Sequence, residues 1–313
     1  MLAVLAPGQG SQKPGFLTPW LALPGAEAQL RSWSDLPELS GADLVHLGTD
    51  ADAEEIKDTA KTQPLLVAAA LLAAGHLPMD GVAVVAGHSI GELAAAALAG
   101  VIGTEAAISL AGVRGREMAA ACALEPTGMS AVLGGDPGEV LAAIEAAGLY
   151  PANRNGAGQI VAAGALPGLA KRAPPPPPRV RVIALKVAGA FHTPYMAQAE
   201  EALAVAAAGI APAAPDRILL SNLDGTAVAD GPAMLQRLVH QVTAPVRWDL
   251  CMDRLAELGV TALIELAPAG TLAGLAKRAL KGIEIITVNT PDDLPGAGDA
   301  IKRHAPGRIG GHL

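Results

Sequence analysis

Val82-Ala83-Val84-Val85-Ala86-Gly87-His88-Ser89-Ile90-Gly91-Glu92 decides the reading of this chain. A β-branched apolar run predicts a buried strand, Gly-x-Ser-x-Gly a sharp turn, and the alanine-rich continuation through Leu98 a helix. Strand, turn and helix in that order lift a serine oxygen clear of the backbone and set it at a helix N-terminus, where the Ile90 N–H can meet an oxyanion. Around this unit, short runs such as Thr261 to Glu265 alternate with Ala/Leu-rich stretches. Helices are expected over 64–74, 90–100, 104–121, 195–208 and 270–280. The pattern predicts an α/β fold with a mainly parallel sheet.

The stretch from about 126 to 188 reads differently, as strand (129–133), helix (137–147), strand (159–163), helix and strand (179–185), which is a compact α+β insertion. The expected organisation is a catalytic domain over 1–125 and 189–290, a subdomain over 126–188, and a poorly ordered tail over 291–313. The tail is rich in Gly, Pro and charge. Pro174 to Pro178 predicts a stiff polyproline connector in an exposed loop.

Bulk properties narrow the function classes. The chain has 313 residues, 51% of them hydrophobic, enough for a sizeable core. Its formal net charge of −8 and its three Trp, two Tyr and two Phe argue against a nucleic-acid surface, which needs a basic face and stacking platforms. The apolar run Leu65 to Gly75 is too short for a bilayer span of roughly 20 residues. Met1 to Ala6 reads as a first buried strand rather than a signal segment. Two cysteines, Cys122 and Cys251, indicate neither a disulfide framework nor a thiolate metal site, and a reducing cytoplasm fits.

Ser89 needs an adjacent base. His88 adjoins it, but neighbouring side chains on a turn point apart, so a packing or hydrogen-bonding role is expected. His88 and Glu92, four apart, are two metal ligands at most, and no metal is expected. His46, His76, His304 and His312 fall in loops or the tail. His192, delivered by Ala188-Gly189-Ala190-Phe191-His192-Thr193-Pro194 after a strand and before a helix, is the better base. Asp136 is the one aspartate between Ser89 and His192, and it suits a helix cap, so a Ser-His dyad oriented by a backbone carbonyl is expected. Arg114 sits on a predicted helix whose arginines would usually be solvated. Pointing into the cleft, it would pair bidentately with a substrate carboxylate.

Seven motifs fall in an order that resembles malonyl-CoA:acyl carrier protein transacylases over about residues 1–290. They are Pro7 to Gln12, Gly87 to Glu92, Val113-Arg114-Gly115, Asn153 to Gln159, Gly189 to Pro194, Ser221 to Gly225, and Gln241 with Pro245 to Trp248. The resemblance implies a stand-alone bacterial-type enzyme with a hydrolase-like α/β core and a ferredoxin-like insertion. It implies Ser89 as nucleophile, His192 as base and acid, Arg114 as the malonyl carboxylate clamp, and N–H groups of Gln9 and Ile90 as oxyanion donors. It also implies Gln241 orienting His192 through its carbonyl, with Asn155 and Gln63 as lesser site residues. Phe191 resembles the bulky residue of malonyl-selective relatives; its apolar flanks would equally suit a core position.

The implied reaction moves malonyl from malonyl-CoA to the phosphopantetheine thiol of acyl carrier protein, for fatty acid or polyketide synthesis, with no cofactor. The protein is expected to be a cytoplasmic monomer without nucleic-acid or membrane partners. Lys277, Arg278 and Lys281, or Lys171 and Arg172, are candidate docking cations for an acidic carrier. A lipase-like hydrolase or thioesterase is the rival enzyme, and an idle carrier-binding domain the non-enzymatic rival.

Overall fold

The computed structural model describes residues 1–170 and 179–305. Along the chain it forms β1 (Leu2–Ala6), α1 (Ala26–Ser34), α2 (Leu44–Thr49), α3 (Thr59–Ala74), β2 (Val84–Gly87), α4 (Gly91–Leu98) and α5 (Thr104–Cys122). Then follow β3 (Thr127–Leu133), α6 (Pro137–Ala146), β4 (Tyr150–Gly156), β5 (Gln159–Ala165), α7 (Leu166–Ala170) and β6 (Arg181–Ala184). The remainder comprises α8 (Ala197–Ala207), β7 (Ile218–Leu219), α9 (Gly231–His240), α10 (Trp248–Glu257), β8 (Ala262–Glu265), α11 (Thr271–Ala279), β9 (Glu284–Thr287) and α12 (Leu294–His304).

Five strands make a parallel sheet in the order β7-β2-β1-β8-β9. Every residue of β1 is buried, as a central strand covered on both faces requires. Alternate side chains serve different cores. Leu2, Val4 and Ala6 join the cluster built with α3, α4 and α5, whereas Ala3 and Leu5 face Trp248, Leu255, Leu272 and Leu275 of α10 and α11. The sheet therefore carries helices on both sides, and its C-terminal edge presents the loop after β2.

Between Thr127 and Ala184 the chain runs β3-α6-β4-β5-α7-β6 as an antiparallel sheet ordered β4-β5-β3-β6, a ferredoxin-like subdomain. Val132, Val140, Ile144, Ile160 and Ala162 pack on its helix side, while Met129, Ala152, Val161 and Ala163 join the main core. The subdomain is also tied by backbone: Val246 N–H donates to Ala152 O at 2.9 Å and Arg154 N–H to Val246 O at 2.9 Å.

Four expectations need correction. Residues 291–304 are not a poorly ordered tail: α12 buries Ala297, Ala300 and Ile301, and Thr290 with Asp293 forms a capping box before it. Small alanines at helical spacing seat this helix against Gly81, where an added Cβ would lie 2.6 Å from Ile301 Cγ2. The helix expected over 64–74 begins at Thr59, because the Asp58 side chain caps Ala60 N–H, and Pro64 lies inside it. Tyr150–Gly156, too polar to read as a strand, is edge strand β4, where Pro151 is tolerated. His46 lies in α2 and His304 in α12 rather than in loops or a disordered tail. The five-proline run and residues 306–313 lie outside the described residues. Among those described, no helix is long and apolar enough to cross a membrane.

Candidate active site

β2 ends at Gly87 and α4 starts at Gly91, and the turn between them holds Ser89 at φ 52°, a left-handed conformation that a non-glycine residue keeps only when its surroundings impose it. Both glycines are steric necessities. A Cβ on Gly87 would lie 2.0 Å from Gly91 O, and one on Gly91 would lie 2.3 Å from Ala6 O. Asn222 clamps the turn from outside: its Oδ1 accepts the Ser89 N–H at 2.8 Å, and its Nδ2 donates to Gly87 O at 2.7 Å. The Ile90 and Gln9 N–H groups find no acceptor among the described residues, as donors reserved for a bound oxyanion would be.

Ser89 Oγ lies 2.7 Å from His192 Nε2. His192 Nδ1 lies 2.8 Å from Gln241 O, and since a carbonyl only accepts, the proton sits on Nδ1 and Nε2 is free to take the serine proton. The His192 backbone N–H donates to Val242 O at 3.1 Å, holding a φ of 59°. Burial, and then the Arg114 charge, push the imidazole down to about 3, so it is neutral at neutral pH. No carboxylate bonds to it among the described residues; Asp136 instead caps α6 by accepting from Gly138 and Glu139 N–H.

Arg114, on α5, is turned inward and only 2% exposed. Its Nη1 donates to Gln63 Oε1 at 2.6 Å, and its Nη2 to Gln241 Oε1 at 2.8 Å and Ser89 Oγ at 3.2 Å. Burial lowers it to about 10, which leaves it charged. Gln63 Nε2 in turn donates to Gln9 Oε1 at 3.4 Å, so Gln9, Gln63, Arg114, Gln241, Ser89 and His192 form one connected cluster. Asn155 stands one step away. Its Oδ1 pairs with His88 Nε2 at 2.9 Å, and the His88 ring meets Trp248 edge-on at 5.5 Å. Phe191, beside His192, is buried in the main core.

The other described histidines stay apart. His46 pairs with Glu55, His240 with Glu200 and His304 with Glu284, and His76 is exposed. No group of three or more His, Cys, Asp or Glu among the described residues could hold a metal. Lys277, Arg278 and Lys281 are exposed and make no ion pair among the described residues; Lys171 and Arg172 lie outside them. Sequence reasoning missed the roles of Glu92 and Asn222. Glu92, 1% exposed, accepts from Asn222 N–H at 2.6 Å and from Gln241 Nε2. The signal was present, because a lone carboxylate in Ile90-Gly91-Glu92-Leu93-Ala94-Ala95 has to be buried with its helix.

Comparison with known proteins agrees over nearly the whole chain. The malonyl CoA-acyl carrier protein transacylase of Mycobacterium tuberculosis is 56% identical over 299 residues, covering 94% of this chain and 98% of its own. The crystal structure of MCAT from Mycobacterium tuberculosis superposes with a TM-score of 0.91 at 55% identity, covering 95% of this chain and 99% of that one. A malonyl-transacylase solved in complex with its type II PKS acyl-carrier protein gives a TM-score of 0.87 at 31% identity, covering 96% of this chain and 99% of that one. The profile of the acyl transferase domain matches residues 4–292, and the chain belongs to that family.

Proposed function

We propose that this chain transfers the malonyl group of malonyl-CoA to the phosphopantetheine thiol of acyl carrier protein through an ester on Ser89. The observation that carries the reading is a buried arginine touching the nucleophile. Arg114 reaches Ser89 Oγ and is otherwise held by neutral amides, which leaves a cation for the carboxylate that malonyl has and acetyl lacks. Ser89 Oγ attacks the thioester carbonyl while His192 Nε2 takes its proton, and the N–H groups of Gln9 and Ile90 hold the oxyanion. As the tetrahedral adduct collapses, the proton passes from His192 to the departing coenzyme A thiol. In the second half the carrier thiol gives its proton to His192 and attacks the ester, and Ser89 recovers the proton as it leaves. No cofactor enters either half.

The carrier and the acyl group are supported by the relatives' names and by the carrier-bound neighbour. Fatty acid synthesis is the proposed setting, with polyketide carriers as further acceptors, in the cytoplasm and as a monomer without nucleic-acid partners. An acidic carrier would meet Lys277, Arg278 and Lys281. Phe191 would disfavour an α-methyl branch, which comparing malonyl-CoA with methylmalonyl-CoA turnover tests. The decisive experiment uses labelled malonyl-CoA: label on Ser89 that moves to holo carrier protein is expected. Free malonate instead would establish a hydrolase, and no label a binding domain.

A further inference from the structure

A buried cation and a buried carboxyl sit either side of one amide; burial pushes the Glu92 carboxyl up to about 7, so it is an anion on the alkaline side of that value. Arg114 donates to the Oε1 of Gln241, and the Nε2 of the same amide donates to the Glu92 carboxylate. Neither charge has an oppositely charged side chain in direct contact: the other partners of Arg114 are Gln63 Oε1 and Ser89 Oγ, and Glu92 also accepts the Asn222 N–H. A guanidinium cannot accept and a carboxylate cannot donate, so only one orientation of the Gln241 amide satisfies both. Turned over, it would aim its NH2 at the cation and its oxygen at the anion. In the orientation present, Gln241 Nε2 also donates to Ser89 O at 3.0 Å.

We infer that Glu92 is a positioning residue for acyl selectivity: it fixes Gln241 so that a displaceable neutral oxygen, not an anion, holds Arg114 until the acyl carboxylate arrives. This rests on the reading of Arg114 as the malonyl clamp. A carboxylate paired directly with Arg114 would compete with the substrate, because breaking a buried ion pair strands a charge. With no anion at all, the orientation of Gln241 would rest on Arg114 and the Ser89 carbonyl alone, without the strongest acceptor of its NH2. One amide between the charges avoids both outcomes. Glu92 never touches substrate; it acts from α4, three residues beyond the nucleophile.

The test compares kcat/KM for malonyl-CoA and acetyl-CoA. Glu92→Gln keeps the shape but can donate as well as accept, so Gln241 loses the anion that holds its NH2 and keeps only Arg114 and the Ser89 carbonyl to orient it. The malonyl-to-acetyl ratio should fall by about 10- to 100-fold, the worth of a hydrogen bond to a charged group. Simple damage to the Ser89 turn would slow both acyl groups in parallel and leave the ratio unchanged, which would overturn the inference. Gln241→Met keeps the backbone carbonyl on His192 and removes the amide; it should lower the ratio similarly, and Glu92→Gln added to it should change the ratio no further. Should Glu92→Gln not fold, Gln241→Met alone decides, an unchanged ratio again overturning the inference. Arg114→Ala separates the two levels. An unchanged ratio there sinks the clamp itself, whereas a ratio lowered by Arg114→Ala but not by the other variants sinks only the role of Glu92.

Discussion

The parallel-sheet domain and the inserted subdomain are both α/β in composition, yet they divide the labour unequally. The first buries its central strand completely and packs extensive clusters on both faces of the sheet. The second has a helix-side core of five buried residues and an edge strand, β6, with Val182 half exposed. Ser89, Arg114, Gln63, Gln9 and Gln241 come from the first, and His192 arrives on the segment where the chain returns to it. Among its described residues the subdomain contributes Asn155 alone, through His88. Chemistry that needs atoms held within tenths of an ångström is placed where backbone is packed against backbone, and the thinner layer reaches it through a side chain.

The sharpest way to break that contrast is Gly91→Ala. The new methyl would meet Ala6 O at 2.3 Å and Pro7 O at 2.7 Å, both backbone and both in the central layer, so nothing near it can give way cheaply. A loss of about 3 kcal/mol in stability, the upper end for overpacking, is expected together with loss of Ser89 acylation, read by urea unfolding and by labelled malonyl-CoA. A parent-like unfolding midpoint would show that the layer around the serine is softer than its contacts imply.

Two asparagines sharpen the comparison on a smaller scale. Asn222→Ala leaves the Ser89 N–H and the Gly87 carbonyl without partners on a strained turn, at about 1–3 kcal/mol for each buried group stranded. Asn155→Ala removes one bond to His88, which still packs on Trp248. The first should cut kcat far more than the second. Equal losses would mean that the subdomain shapes the nucleophile directly.

What could be read from the residues follows the same division. The serine turn is local, since five consecutive residues and their flanking periods specify strand, turn and helix. His192 was legible because a loop after a strand delivers it, and Gln241 and Gln9 only through their motifs, because a backbone carbonyl or N–H leaves no mark on residue type. Arg114 looked solvated by its helix alone; its inward rotation depends on Gln63 and Gln241, 51 and 127 residues away in sequence. β4 was illegible because pairing with β5, not side-chain apolarity, makes it a strand. α12 was hidden because small residues, Ala297, Gly298 and Ala300, make up all of its buried stripe but Ile301.

The smallest effect expected is a shift along the pH axis, and it reports on how the site is charged. Burial first and the Arg114 cation second hold His192 at about 3, below its ordinary 6.5. The folded protein therefore disfavours the proton. That contribution to stability is full above 6.5 and is lost as pH falls towards 3. It also means that the base itself does not titrate near neutrality, so any change in the rate of Ser89 acylation between pH 8 and 5 is expected to come from Glu92, whose buried carboxyl is pushed up to about 7. Removing the cation removes one of the two lowering causes and leaves the other. In Arg114→Ala, assayed with acetyl-CoA, His192 should regain protons more readily and the acid limb should move upward, towards but not as far as 6.5. An unmoved limb would mean that burial alone sets the imidazole. A malonyl carboxylate seated on Arg114 would oppose the same cationic field, so the charged substrate should make His192 a better base than acetyl-CoA does, and its acid limb should lie above that of acetyl-CoA in the unaltered enzyme.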